Sequence, residues 1–119
     1  MQNTTNTFDY HVDKFADIEI LRYRVTGFEA LSLQQKQLIY HLSEAAQEGR
    51  DILFDQHYEH NLCIRRTLEA IYETHNETEK NVEEFNAFEI YLKRIWFSNG
   101  IHHHYSTDKL DITCSKEYF

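Results

Sequence analysis

VEEFNAFEIYLKRIWFSNGIHHHYS, residues 82–106, is the stretch on which the fold turns. Val82, Phe85, Phe88, Leu92, Ile95 and Trp96 recur at steps of three and four residues, the period of one helix face. Asn99-Gly100 halts the run, because glycine enters the left-handed backbone region freely and asparagine tolerates it. Three consecutive histidines and a tyrosine follow. The stretch predicts a helix that ends at Ser98 and an extended segment over residues 101–105.

Working upstream, Ile64, Leu68, Ile71 and Tyr72 form a second stripe, with Arg65, Arg66, Glu69 and Glu73 outside it. This predicts a helix over 61–74. His75-Asn76-Glu77-Thr78 separates the two helices, and Thr78 and Glu79 suit the start of the later one, as cap and as a favourable charge at its dipole. Further back, Ser32-Leu33-Gln34-Gln35 matches a capping box, with Leu38, Leu42, Ala45 and Ala46 at helical spacing behind it. Gly49 is placed to end that helix, expected over 33–48. Residues 50–56, RDILFDQ, read as one more helical turn or a buried connector. Over 18–25, Leu21, Tyr23 and Val25 alternate with charges while Ile18 and Ile20 take the opposite parity, as in a strand covered on both faces. Thr26-Gly27 reads as a turn.

The expected fold class is mainly α: a small three-helix bundle with extended or β segments at both ends. Its core is expected from Leu38, Leu42, Ile64, Leu68, Ile71, Phe85, Phe88, Leu92 and Ile95. Residues 1–7 read as a disordered N-terminus and 8–119 as a single partial domain. Residues 8–25 and 101–119 have no obvious partner within the chain, and unpaired strand edges call for a cover.

Composition narrows the function classes. The chain has 119 residues, of which 41% are hydrophobic and 14% aromatic, ample for a packed core. The formal net charge of −8 repels phosphate backbones and argues against a nucleic-acid partner. No apolar run approaches the ~20 residues that span a bilayer, so no membrane partner is expected. The first residues lack the basic-then-apolar order of an export signal. The expected location is therefore cytoplasmic, or periplasmic if such a signal has been removed. Cys63 and Cys114, the only two cysteines, read as reduced, partly buried thiols rather than a disulfide framework. Asn3 and Asn76 fit a glycosylation pattern that is common by chance.

No complete catalytic constellation emerges from the residues. In a strand, His102 and His104 would share a face, but two imidazoles are fewer than the three protein ligands that zinc normally takes, and Asp108 is a remote third. No metal site is assigned. His57 with His60, and His41 with Glu44, stand at helical spacing and read as solvated pairs, because the metalloprotease pattern needs an adjacent His-Glu. Ser98 and Ser106 lack a glycine-flanked elbow and an oriented base. The aromatic stripe Phe85, Phe88, Trp96 reads as core.

Longer stretches carry a resemblance. FDYHVDKFADIEILRYRVTGFEALSLQQKQLIYHLSEAAQEGRDILFDQ, NLCIRRTLEAIY and YLKRIWFSNGIHHHYS resemble the opening of dipeptidyl peptidase III proteins of the Bacteroides-type branch, over nearly the whole chain from Phe8 onward. That family consists of two-lobed α+β zinc exopeptidases, hydrolases that remove dipeptides from peptide amino termini. The zinc is held by a His-Glu-x-x-x-His helix and a later glutamate, none of which is present in this chain. The resemblance therefore implies an N-terminal segment that forms part of a cleft wall. Such a segment would be inactive alone, with no catalytic residue and no cofactor of its own, zinc belonging to the full-length family. The segment from Gly100 to Lys109 matches a cleft-lining stretch, and an aromatic at the place of Tyr105 helps form the pocket for the substrate's amino-terminal residues. Gly100, His103 and Tyr105 are the substrate-binding candidates this implies. Other branches carry Gly-Asn-Tyr-Lys-Ser-Phe-Gly-Asp where this chain has Gly-Ile-His-His-His-Tyr-Ser-Thr, so His102 and His103 replace a tyrosine and a lysine. The implied partners are a peptide substrate and a catalytic lobe, or another protein, over the exposed edges. The alternative is a free-standing, non-catalytic helical interaction domain derived from that family.

Overall fold

The computed structural model describes residues 8–74 and 82–117, and the protein is mainly α. The order is β1 (His11–Phe15), β2 (Ile18–Leu21), a 3-10 turn (Phe28–Ala30), then α1 (Leu33–Glu48), α2 (Arg50–His57), α3 (Asn61–Thr74) and α4 (Val82–Ser98). The expectations for residues 1–7, Thr78, Glu79 and both glycosylation patterns fall outside the described residues, as does the side chain of Val82. The residues form two compact units, Met1–Glu44 and Ala45–Phe119.

In the first unit, β1 and β2 pair antiparallel, with His11 opposite Leu21, Asp13 opposite Ile20, Lys14 opposite Glu19 and Phe15 opposite Ile18. The register shifts between His11 and Asp13, which leaves Val12 as an extra residue. The expected strand thus exists but is shorter than 18–25, and it finds its partner within the chain. Ala16 sits at φ 49°, at the first position of a two-residue loop where glycine is the usual choice. The strand is not covered on both faces: Leu21, Tyr23 and Val25 are exposed, while Ile18 and Ile20 are half-buried.

Helix α1 has the expected bounds, and its capping box forms. The Ser32 N–H donates to Gln35 Oε1 at 2.9 Å, and the Gln35 N–H donates to Ser32 Oγ at 3.3 Å. Its expected role in the core fails. Leu38 and Leu42 are 58% and 60% exposed, and no residue of α1 is buried. Periodicity identifies a face, but burial needs a second surface as well. Gly49 ends α1 without a left-handed turn: at φ −77° it passes directly into α2, which resolves residues 50–56 as helix.

The second unit holds the core. Phe54, Leu68, Phe88, Leu92, Ile95 and Cys114 are buried together, flanked by Leu62, Ile64, Ile71, Phe85, Tyr91, Ile101 and Leu110. The stripes of α3 and α4 therefore meet as expected, with the Phe54 ring of α2 completing the cluster. Two expected stripe members sit at its margin: Tyr72, 38% exposed, stacks on Phe85, and Trp96, 40% exposed, donates its indole N–H to Glu69 Oε1 at 2.8 Å. Arg65, expected outside, is buried.

Leu68→Ala should lower stability by about 2–5 kcal/mol, whereas Leu42→Ala should stay within about 0.5 kcal/mol. Urea melts followed by the fluorescence of Trp96 check both; equal costs would contradict this assignment of the core.

Candidate functional site

The end of α4 sets the geometry. Asn99 takes the left-handed conformation at φ 54°, and the Gly100 N–H donates back to Ile95 O at 3.1 Å, closing the last turn. Gly100 itself lies at φ 150°, a region that side chains disfavour. The chain then doubles back rather than running extended to residue 105. The Leu110 N–H donates to Ile101 O and the His103 N–H to Asp108 O, both at 2.8 Å, and His102 bridges Lys109 in antiparallel register. Residues 104–107 form the tip. There the Ser106 hydroxyl donates to Asp108 Oδ2 at 2.8 Å and accepts the Asp108 N–H at 3.2 Å.

The base of this turn is pinned by Asn61, the first residue of α3, which is 1% exposed. Its carboxamide nitrogen donates to Phe54 O at 3.1 Å and reaches Asn99 O at 3.5 Å, and its oxygen accepts the Ile101 N–H at 3.2 Å.

The three histidines face different surroundings. His102 packs edge-on to Tyr58, with ring centroids 5.8 Å apart. His103 accepts the Tyr105 N–H on Nδ1 at 3.2 Å. His104 lies between His103 and Tyr105, at 4.3 and 4.2 Å, and meets the edge of Phe97 at 4.9 Å. Tyr105 is 89% exposed. Together with His57, Ser98, Gly100 and Thr107 these residues border an open groove of about 620 Å³. The three substrate-binding candidates, Gly100, His103 and Tyr105, are thus brought to one place. The groove offers imidazole and hydroxyl groups for hydrogen bonds and aromatic faces for apolar or cationic groups.

Other sequence candidates disperse. His57 closes α2 and borders the groove, but His60 lies between helices and packs on Tyr58, so the two do not share a helix face. His41 and Glu44 are exposed on α1. Ser98 is buried. Cys63 is exposed rather than partly buried, Cys114 is buried, and both are free thiols. Burial pushes the Cys114 thiol up from its ordinary value.

A second polar cluster escaped the sequence reading. The Arg65 guanidinium, 8% exposed in its side chain, donates to Asp51 Oδ1 at 2.8 Å, lies 3.4 Å from Glu69 Oε1 and stacks over the Phe54 ring. Arg66 reaches the other oxygen of Asp51 at 3.3 Å. The Arg65–Glu69 spacing of four residues was the available signal, but it reads equally well as a surface pair. These side chains tie α2 to α3. Neither a family model nor a curated protein matches the chain.

The hydrogen bond from Arg65, together with the charges of Arg65 and Arg66, holds the Asp51 carboxyl below its ordinary value of 3.8. A depressed folded value means that the stabilisation is fully present above pH 3.8 and is lost as pH falls through the lowered value. Asp51→Asn should therefore destabilise the chain at neutral pH, and the gap to the native chain should close on acidification below that range. Urea midpoints across pH check this; a gap that does not change with pH would remove the ion pair as its source.

Proposed function

We propose that this chain is the N-terminal segment of a dipeptidyl peptidase III-type zinc exopeptidase and supplies one wall of its peptide cleft. The groove beneath Tyr105 is the observation that carries this reading: the turn presents an almost fully exposed phenol at the rim, with the tilted rings of His104 and His103 beside it. An aromatic held in that way suits the side chains and amino terminus of a peptide, through apolar contact and cation–π attraction. His102 packs on Tyr58, whereas His103 and His104 lie against each other and Tyr105. Activation of water would rest with the His-Glu-x-x-x-His helix of the catalytic lobe.

A second reading keeps the chain as a free-standing interaction domain. One observation favours it: Leu33, Leu38, Ile39, Tyr40 and Leu42 on α1 are all at least 44% exposed. Under the first reading this surface is where the remainder of the enzyme packs; under the second it meets another protein.

Reading the coding frame past Phe119 separates the two. An in-frame His-Glu-x-x-x-His is expected, and an immediate stop codon would favour the interaction domain. The purified chain supplemented with zinc should also release no arylamine from dipeptidyl arylamides. Turnover that survives further purification and is abolished by a chelator would overturn the assignment of catalysis to another lobe.

A further inference from the structure

We infer that Asn61 is the positioning residue of the groove: its buried carboxamide, fitted against Gly100, fixes where the His102–Tyr105 turn stands. For the class of ligand, a peptide amino terminus, this inference rests on the reading proposed above. For the turn itself it rests on geometry alone.

Asn61 does not border the groove. It acts through backbone, joining the last turn of α2 at Phe54 O, the exit of α4 at Asn99 O and the first residue of the turn at Ile101 N–H. Few side chains could do this. The site needs a donor and an acceptor on one short, planar arm, with both buried. Aspartate lacks the donor, leucine lacks both, and glutamine is one methylene longer. An unpaired Ile101 N–H in this interior would cost more than the hydrogen bond contributes.

Gly100 is the other half of the fit. A Cβ at position 100 would stand 2.6 Å from Asn61 Cγ and 2.8 Å from Oδ1, and closer still to Nδ2. Glycine is therefore required twice, for its backbone angle and for the space occupied by the carboxamide. From Ile101 onward the turn closes on itself, through Leu110 to Ile101 and His103 to Asp108, so fixing its first residue fixes its tip. Tyr105, on the surface, has its place set by an amide it never touches.

Amide hydrogen exchange on the whole chain tests this. In the native chain the Asn61 side-chain N–H protons and the backbone amides of Ile101, His103 and Leu110 should all be protected. In Asn61→Ala the three turn amides should exchange at least about tenfold faster relative to those of Leu92 and Ile95. Leu68→Ala, which weakens the core without touching the latch, should leave that ratio unchanged. Turn amides that keep their native ratio in Asn61→Ala would overturn the inference. So would freely exchanging Asn61 side-chain protons in the native chain, a measurement that needs no variant to fold. A titration with a tetrapeptide bearing a free amino terminus separates this from the functional reading. Resonance shifts over His102–Tyr105 in the native chain that are lost in Asn61→Ala support both. Equal shifts in the two overturn the positioning role. No shifts in the native chain tell against the peptide groove, and the exchange ratio still decides the latch.

Discussion

The buried carboxamide of Asn61 is the constraint on which the second unit depends. Three chain segments end or begin around it, and its carboxamide meets a backbone group of each. A helix end buried without partners is unstable, so the close approach of α2, α3 and α4 at this end is possible only because one side chain completes the hydrogen bonding. The apolar cluster of Phe54, Leu68, Phe88, Leu92 and Ile95 supplies the driving force for packing. Burial is non-directional, however, and would tolerate a shift of α4 along its axis. The carboxamide would not. Asn61 thereby converts a hydrophobic contact between helices into a defined placement of the chain that leaves α4.

Arg65 does similar work one turn along α3. Its guanidinium lies over Phe54 and reaches Asp51 and Glu69, and Glu69 in turn accepts the Trp96 indole N–H. One buried cation thus links α2 and α3 directly, and α4 through Glu69. Asn61, Arg65 and Leu68 are spaced by four and three residues, so all lie on one helix face. That face of α3 is mixed: two polar groups fix geometry and one apolar group contributes burial.

Much of this was legible in the sequence, for identifiable reasons. The bounds of α1 and α3 and the end of α4 followed from a capping box, a 3.6-residue stripe and Asn99-Gly100, all of them local signals. The β hairpin was half-read because its loop is Ala16-Asp17, with a positive φ on a residue that does not advertise one. The misplaced core residues, Leu38 and Leu42, show the limit of periodicity, which identifies an apolar face whether or not anything covers it. At the site, Tyr105 and the histidines were visible as chemistry. Asn61 was not, because an asparagine at a helix start reads as an ordinary cap. Its partners lie 7, 38 and 40 residues away, beyond any local pattern.

The two units differ in a way that bears on the functional reading. In the second, large side chains from three helices enclose one another. In the first, Phe15 is the single buried residue among those described, and Tyr10, Val12, Leu21, Tyr23, Val25 and Phe28 are exposed along with the apolar residues of α1. A helix of 16 residues has little stability in water from its own hydrogen bonds and takes most of it from packing of an apolar face. A two-stranded hairpin is in the same position. Both elements of the first unit therefore need apolar surface supplied from elsewhere. An isolated interaction domain would leave two such elements uncovered until its partner arrived, whereas a segment of a larger lobe would have them covered at folding.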